Sequence, residues 1–204
     1  MTEHRLLTKQ KNGDMNEFVL TENVKKIEHI TLQDAKAVLE RGLKYFIGDN
    51  YQWLPEYDKV VDWLTDNDNR GLLVFGSNGR GKSVICTKII PVIFKFYLKL
   101  DYFYVDAADL SACNKNDIDN YNIHISTAPI IIDDIGVESM AGDYGEKRDL
   151  VSEIIDRCEK RSRLVILTTN LSPNEITERY GLRTYDRLKG ITRSIKFNGD
   201  SLRR

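Results

Sequence analysis

Short apolar runs alternate with amphipathic stretches along most of this 204-residue chain. Each run has the length of a single strand and is bounded by polar or glycine residues, which is typical of strands buried on both faces of a parallel sheet. The runs lie at residues 72–75, 102–105, 129–132, 164–168 and, more weakly, 194–197. Strands that alternate with helices in this way predict an α/β fold, with a five-stranded parallel sheet covered by helices on both faces.

Before and between the predicted strands, apolar residues recur every three or four positions, which predicts amphipathic helices. These helices cover residues 32–46, 57–64 and 146–160. Gly48 is expected to end the first helix, and Pro55 suits the first turn of the second. A further helix should begin near Lys82, and Pro91 is expected to kink it or split it in two.

The length of the chain allows one α/β domain with a full core and a short extension, but is short for two complete domains. Residues 1–29 mix charged and polar side chains with little periodicity, and we expect them to form a loose or docked arm. We therefore predict an N-terminal arm with one helix over residues 1–50, which is a candidate for partner binding. Residues 51–204 are predicted to form the α/β domain.

The longest unbroken apolar run, residues 89–94, is far shorter than the roughly 18 residues that span a bilayer. The first residues lack the apolar segment of a secretory signal, and the three widely spaced cysteines indicate no disulfide framework. The sequence thus predicts a cytoplasmic protein without a membrane span. The formal net charge is −1, but residues 182–204 are basic, so this part either meets phosphate or an acidic surface or is simply solvated.

A glycine-rich loop follows the first predicted strand. It matches the P-loop pattern G-x-x-x-x-G-K-[ST] between a strand and a helix, the context that the motif requires. Its glycines let backbone N–H groups point at phosphates, while Lys82 reaches the β and γ oxygens and the Ser83 hydroxyl binds Mg²⁺. We therefore predict ATP and Mg²⁺ as cofactors. The predicted nucleotide-binding residues are Gly76, Ser77, Asn78, Gly79, Arg80, Gly81, Lys82 and Ser83.

Arg80 stands where many P-loops have a small residue before the last glycine, and we expect its side chain either to touch a partner or to point to solvent. The alternative for the whole loop is a glycine turn with a surface lysine.

Two later strands end in polar residues that suit phosphate chemistry. The apolar run 129–132 is followed by two carboxylates, of which Asp133 is predicted to bind Mg²⁺ and Asp134 to activate the attacking water. Asp134 is one methylene shorter than the usual glutamate, so hydrolysis should be slow, and a chain that holds ATP without turnover is an alternative. Asn170 is predicted to lie beside the γ-phosphate, or alternatively to form a strand-to-helix turn.

These motifs, together with Arg-Tyr-Gly-Leu-Arg-Thr-Tyr-Asp-Arg-Leu at residues 179–188, resemble the AAA+ ATPases of the DnaC/DnaI helicase-loader and IstB transposition-regulator group. The resemblance covers roughly residues 55–204. It implies a P-loop NTPase fold of the AAA+ (ASCE) type, a three-layer sandwich around a five-stranded parallel sheet. It also implies ATP-dependent homo-oligomers, docking beside a hexameric replicative helicase, and contact with single-stranded DNA. Too few residues follow Asn170 for a separate lid domain, so we expect none.

In that group, arginines of the segment matching residues 179–188 reach the nucleotide of a neighbouring subunit. Arg183 and Arg187 are the matching positions, and their spacing of four puts them on one face of a helix. A guanidinium supplied by a neighbour stabilises charge on the transferring phosphoryl group and couples hydrolysis to assembly. The alternative is an arginine pair in bridges with Asp186 or in solvent.

We therefore predict an ATP-binding and ATP-hydrolysing DNA replication protein that resembles a DnaC-type replicative helicase loader, with slow turnover stimulated by a partner or DNA. An IstB-like transposition ATPase that binds DNA and directs a transposase is the main alternative. A small-molecule P-loop kinase and a non-hydrolysing ATP-binding adaptor are further alternatives. Asn114, Lys115 and Tyr121 are candidate DNA contacts through aromatic stacking and charge, or ordinary loop residues.

Overall fold

The computed structural model describes residues 29–48, 51–113, 127–139 and 149–202. The strands are β1 (Gly71–Gly76), β2 (Phe103–Asp106), β3 (Ile130–Ile135), β4 (Val165–Thr169) and β5 (Thr192–Phe197). The helices are α1 (Ala35–Ile47), α2 (Pro55–Thr65), α3 (Val84–Ile89, Ile90–Val92 and Ile93–Leu98 in succession), α4 (Ala107–Leu110), α5 (Leu150–Lys160), α6 (Pro173–Tyr180) and α7 (Leu182–Ile191).

The five strands form one sheet in the order β2-β3-β4-β1-β5, and every pair is parallel. The predicted five-stranded parallel sheet is therefore confirmed. Strand β1 lies between β4 and the edge strand β5, so the loop that follows it emerges between these two strands at the carboxyl edge. Because all the strand pairs are parallel, the five strands have their carboxyl ends at this same edge.

Alternate residues of the strands belong to two separate hydrophobic clusters, one on each face of the sheet. On the first face, residues such as Leu72, Val74 and Ile166 pack against α1, α2 and α3. On the second face, residues such as Leu73 and Val165 pack against α4 to α7. This alternation follows from the two-residue period of strand side chains, and it confirms the predicted three-layer sandwich. After β4 the described residues form α6, α7 and β5 on the sheet, with no separate lid domain among them.

Helix α1 belongs to the first of these clusters, since Leu39 and Leu43 are fully buried there. It begins later than the periodicity suggests, because Asp34 takes a left-handed conformation at its N-cap (φ 55°). Gly48 ends it with a positive φ of 73°, as predicted. The division into two parts at residue 50 stays a prediction, and residues 1–28 lie outside the described residues.

Helix α3 continues through Pro91 rather than splitting into two helices, so that part of the prediction is wrong. A short α-helical stretch around Pro91 is flanked by two π-helical stretches. The Ile90 N–H, for example, donates to the Ile85 carbonyl five residues earlier. Such wider turns re-satisfy backbone groups near a residue that lacks an N–H. Within the described residues, no helix is long and apolar enough to span a membrane.

Candidate nucleotide-binding site

The glycine-rich loop leaves the carboxyl end of β1 with its glycines in conformations that other residues rarely adopt. Gly76, Gly79 and Gly81 have φ angles of 113°, 72° and 90°. A Cβ on Gly76 would clash with the backbone of Phe197 in β5, so the turn out of β1 requires glycine there. The Ser77 N–H donates to the Phe197 carbonyl at 2.9 Å, which fixes the start of the loop on β5.

Lys82 is buried inside the loop that it follows, with 7% of its surface exposed. Its ammonium donates to the carbonyls of Gly76 and Ser77 at 2.8 and 2.9 Å, which holds the loop curled around it. It also donates to Asn170 Oδ1 at 2.7 Å, across the sheet edge from β4. A lysine so enclosed in a glycine loop is what a phosphate-binding site requires, and it contradicts the alternative of a glycine turn with a surface lysine.

The two carboxylates lie at the end of β3, where the strand is irregular. The register with β4 shifts between Ile132 and Ile135, and Asp134 takes a left-handed conformation (φ 57°). Aspartate tolerates this region better than most residues, and strained backbone of this kind is found at functional sites. The bulge therefore interrupts the pairing of β3 with β4 at the two carboxylates.

Two polar residues bind these carboxylates: Thr168 in β4 and Asn170 directly after it. The Thr168 hydroxyl accepts from the Asp134 N–H at 2.8 Å and donates to Asp133 Oδ1 through a very short hydrogen bond. The Asn170 amide nitrogen donates to Asp134 Oδ1 at 2.8 Å. Lys82, Asn170 and Asp134 thus form one hydrogen-bonded row. Sequence reasoning missed Thr168, although the polar end of the β4 run carried the signal.

The surroundings of Asp134 make its carboxylate easier to protonate than that of an ordinary aspartate. Burial, and after it the negative charge of Asp133, raises the pKa of Asp134 above its usual range, while Lys82 opposes this shift. A carboxyl group with a raised pKa is a better proton acceptor than an ordinary aspartate. The site therefore contains a candidate general base next to a phosphate-binding lysine.

Oxygen donors suited to Mg²⁺ come from two elements that pack together. Ser83 lies directly before α3, and Asp133 lies in the second half of β3, a strand that α3 contacts. A hydroxyl and a carboxylate are the hard ligands that Mg²⁺ prefers, with water and phosphate oxygens as the rest of its shell. The residues present therefore fit a Mg²⁺-nucleotide complex.

A cavity of about 480 Å³ opens above this edge, a size typical of small-molecule sites. Residues 78–84 of the loop, Asp134 and Asn170 line it together. Ile47, Tyr57 and Leu202 also line it, and sequence reasoning missed all three because they come from outside the motifs.

The Arg80 side chain does not point to solvent, so that expectation is wrong, while its contact with a partner stays a prediction. Its Nε and Nη2 donate to Glu56 Oε1 at 2.9 and 2.7 Å. The two side chains are only 11% and 8% exposed. Its backbone carbonyl accepts from the Tyr57 hydroxyl at 3.1 Å. The guanidinium thus binds the first turn of α2, and Arg80 is also among the residues that line the cavity.

The predicted arginine pair of α7 is not among the residues that line the cavity. Arg187 is 18% exposed, forms a close ion pair with Asp156 of α5, and donates through Nε to Glu159 at 2.8 Å. Arg183, one turn earlier, is exposed. Asp186 pairs with Lys189 instead of with either arginine. The arginine pair therefore separates into one bound and one exposed guanidinium.

The candidate DNA contacts Asn114, Lys115 and Tyr121 lie outside the described residues. Their role stays a prediction.

Comparison with protein families gives one match, to the family model described as Nephrocystin 3, N-terminal, over residues 49–120. This stretch contains the P-loop but covers only about a third of the chain. No match is found among curated protein sequences.

Solved structures give a broader likeness. The DnaC helicase loader matches with a TM-score of 0.58 and 17% identity, over 74% of this chain and 95% of its own. DnaI matches with a TM-score of 0.52 and 17% identity, over 84% of this chain and 86% of its own. AMPPCP-bound DnaA from Aquifex aeolicus matches with a TM-score of 0.53 and 15% identity, over 74% of this chain and 50% of its own. The chain shares the fold of these proteins, as the resemblance of its motifs to the DnaC/DnaI group led us to expect.

Proposed function

We propose that this chain binds ATP with Mg²⁺, hydrolyses it, and acts in DNA replication as an ATPase of the helicase-loader type. The observation that carries the proposal is the Asn170 amide, which accepts from Lys82 at 2.7 Å and donates to Asp134 at 2.8 Å. This bridge joins the residue suited to hold phosphate to the residue suited to accept a proton. A glycine loop that served only as a turn would not need a hydrogen bond from Asn170 to either residue.

The residues divide the chemistry among themselves. Residues 76–83 cradle the phosphates through backbone N–H groups and the Lys82 ammonium. Ser83 and Asp133 would hold Mg²⁺, which neutralises charge on the β and γ oxygens when bound. Asp134 orients the attacking water and takes its proton. Asn170 contacts the γ-phosphate while keeping its hydrogen bonds to Lys82 and Asp134, so its position depends on whether that phosphate is bound.

Slow turnover is expected of the chain alone. Asp134 is a short side chain already engaged by Asn170, and nothing in a single chain brings an arginine of α7 to the cavity. A neighbouring subunit that supplies Arg183 would stabilise the developing charge and make hydrolysis depend on assembly. Arg187 would have to break its ion pairs to α5 first, so Arg183 is the better candidate.

The role in replication is supported by the fold shared with the DnaC helicase loader, DnaI and DnaA. We propose a replicative helicase and single-stranded DNA as partners, in the cytoplasm, with an ATP-dependent homo-oligomer as the working form. A structure described as DnaA bound to AMPPCP and single-stranded DNA is among the similar folds, which makes a shared DNA site worth testing.

The first test measures phosphate release from Mg²⁺-ATP over several turnovers, with and without single-stranded DNA. The mass of the protein in solution is measured in parallel, with ADP and with a non-hydrolysable ATP analogue. We expect slow turnover that DNA accelerates, and a larger species with the analogue. ATP binding without phosphate release, with or without DNA, would contradict hydrolysis and support a non-hydrolysing adaptor.

The helicase part is tested separately by co-elution with the purified replicative helicase of the same organism, with ATP and with ADP. A complex that depends on the nucleotide is expected. Binding to a transposase instead of the helicase would support the IstB-like alternative.

A further inference from the structure

A third carboxylate lies buried shortly after the two acids of β3. Glu138 comes three residues after the end of that strand, and its side chain is only 3% exposed. Removing a carboxylate from water is costly unless hydrogen bonds and opposite charge compensate it. Glu138 is not among the residues that line the nucleotide cavity. Any part that it plays in function is therefore exerted through the residues that it contacts.

The contacts of Glu138 join the loop after β3 to the end of α6. The Gly136 N–H donates to Oε2 at 2.8 Å, and the Tyr180 hydroxyl donates to Oε1 at 2.5 Å. Arg179 Nη2 donates to the backbone carbonyl of Glu138 at 2.7 Å and lies 3.4 Å from Oε1. Burial, and after it the hydrogen bond to Glu138, raises the pKa of Tyr180, so its hydroxyl remains a donor. Both residues of α6 thus hold one carboxylate.

The backbone from Asp134 to Gly136 relies on side chains for its position, because the register of β3 with β4 shifts just before it. The Asp134 N–H donates to the Thr168 hydroxyl at 2.8 Å. The Ile135 carbonyl accepts from another hydroxyl of β4 at 2.6 Å. The bond from the Gly136 N–H to Glu138 is the next in this series. Glu138 therefore helps to hold the segment in which Asp134 keeps its left-handed conformation.

Gly136 also touches the segment that follows β4. A Cβ on Gly136 would lie 2.5 Å from Cδ1 of Leu171, which directly follows Asn170. The φ angle of Gly136 is 104°, so both the conformation and the close approach require glycine here. A shift of Gly136 would therefore displace the chain next to Asp134 or the chain next to Asn170.

Helix α6 is held to this edge of the sheet at both ends. At its start, the Ser172 hydroxyl accepts from the Glu175 N–H and the Glu175 carboxylate accepts from the Ser172 N–H, two residues after Asn170. At its end, Tyr180 binds Glu138. A helix fixed in this way can keep the loop after β3 at a constant distance from the end of β4.

We propose that Glu138 is a positioning residue for ATP hydrolysis, which ties the backbone after Asp134 to α6 and so keeps Asp134 in place beside Asn170. The inference rests on the proposed function, since it concerns the placement of the residue that accepts the proton. A displacement of about 1 Å in a reacting group can lower a rate about 100-fold, so a contact remote from the ligand can control kcat. ATP affinity depends mainly on residues 76–83, which belong to a different element, and should not depend on Glu138.

Tyr180→Phe removes one hydroxyl and weakens the contact with little change of shape. We expect single-turnover phosphate release to slow about tenfold, while the affinity for Mg²⁺-ATP, measured by calorimetry on the full chain, changes less than about twofold. Thr192→Val is the matched control. It also removes a buried hydroxyl that donates a hydrogen bond, but at the start of β5, on the opposite edge of the sheet. It should lower stability and leave the rate unchanged.

Two further variants test the same contact. Glu138→Gln should slow phosphate release at least as much, because an amide cannot accept from Gly136 and Tyr180 through both of its terminal atoms. Combined with Tyr180→Phe, its effect should not add, since both changes act through one network. Arg179→Lys should recover most of the rate that Arg179→Ala loses, because a single nitrogen of Arg179 makes both contacts with Glu138.

Hydrogen exchange of the backbone amides of residues 134–136 reports the position of this segment without relying on hydrolysis. Exchange should be faster in Tyr180→Phe than in the wild-type protein, because the hold on the Gly136 N–H is weaker. Thr192→Val should exchange at the wild-type rate in this segment. Unchanged exchange in Tyr180→Phe would contradict the tie between α6 and the backbone after Asp134.

The rates separate a failure of this inference from a failure of the proposed function. If the wild-type protein hydrolyses ATP, unchanged phosphate release in both Tyr180→Phe and Glu138→Gln would overturn the positioning role alone. A loss of ATP affinity as large as the loss of rate, or an equal loss of rate in Thr192→Val, would mean that Glu138 only supports the fold, which also overturns it. A wild-type protein that binds ATP without releasing phosphate would refute hydrolysis, and any positioning role in hydrolysis with it.

Discussion

The carboxyl edge of the sheet and the surface of α7 both carry charged residues that the sequence singles out, but the two regions are built differently. At the sheet edge, Lys82, Asn170 and Asp134 come from three separate elements and meet in one hydrogen-bonded row. On α7, Arg187 is bound to two acids of α5, whereas Arg183 is exposed. The motif residues at the sheet edge therefore contact one another, whereas the two arginines of α7 have different surroundings.

The difference follows from how each kind of residue is placed. Parallel strands end at one edge, so residues that follow different strands meet there whatever their distance in the chain. The partners of a residue on a surface helix depend on which other helix packs beside it. The spacing of residues within one helix does not reveal that neighbour. The sheet edge should therefore be sensitive to single changes, and α7 more tolerant of them.

Lys82→Ala should have the largest effect of all, a loss of ATP affinity of more than about 100-fold. The change removes the ammonium that holds the loop through the Gly76 and Ser77 carbonyls, as well as the charge that would meet the phosphates. Calorimetry with Mg²⁺-ATP measures it. Lys88→Ala, which changes an exposed lysine of α3, is the matched control and should bind normally. Normal binding by Lys82→Ala would refute the assignment of the phosphate site.

Asp134→Asn should lower the rate of hydrolysis by at least about 100-fold and leave ATP affinity unchanged. Asparagine tolerates the left-handed conformation at this position, so the backbone is not disturbed, while the proton acceptor is lost. Single-turnover phosphate release and calorimetry distinguish the two effects. Asp101→Asn, at an exposed position, is the control. Normal hydrolysis by Asp134→Asn would mean that another group activates the water.

The pH dependence of hydrolysis sharpens this assignment. Asp134 must be ionised to accept a proton, and its pKa is raised, chiefly by burial and then by Asp133. The acid limb of the rate profile should therefore lie at higher pH than for an ordinary aspartate, with the rate rising as Asp134 loses its proton. The pH profile of kcat/KM tests this, because that parameter reports the pKa values of the free enzyme. An acid limb that persists unchanged in the residual activity of Asp134→Asn would assign it to a different group.

Glu56→Gln should lower the free energy of unfolding by about 3 kcal/mol, because it leaves the Arg80 guanidinium as a buried charge without a counterion. Glu159→Gln removes one partner of Arg187 at a more exposed site, where Asp156 remains, and should cost less than about 1 kcal/mol. Urea unfolding followed by tryptophan fluorescence measures both. Equal effects would mean that burial does not distinguish the two ion pairs.

The strands, the glycine-rich loop and the polar residues that follow the strands are each visible in a short stretch of sequence. The parallel topology then places those polar residues at one edge of the sheet, which is why sequence patterns predict them together. The strand runs are wholly apolar, and the P-loop pattern is recognisable without its surroundings. The Arg80–Glu56 contact is not predictable in this way. Arg80 is unusual for its place in the loop, but the two residues are separated in the chain and nothing in the sequence marks Glu56 as its partner. The bulge at Asp134 is hidden for a similar reason, because the register of β3 depends on its pairing with β4.

The smallest effects are expected on α7, where the two arginines should behave differently. Arg183→Ala should reduce the turnover of the assembled protein about tenfold and spare ATP binding by the monomer, because an exposed guanidinium can reach a neighbouring nucleotide. Arg187→Ala should change assembled turnover less than about twofold, since its ion pairs to Asp156 and Glu159 hold it on its own subunit.

Hydrolysis measured above and below the concentration of assembly separates the two variants. Each serves as the control for the other, because both remove the same side chain one helical turn apart. A larger loss of assembled turnover in Arg187→Ala would mean that assembly breaks its ion pairs and releases that guanidinium toward the neighbour. Unchanged turnover in both variants would contradict any arginine supplied by α7, and would leave the sheet edge as the sole source of catalytic charge.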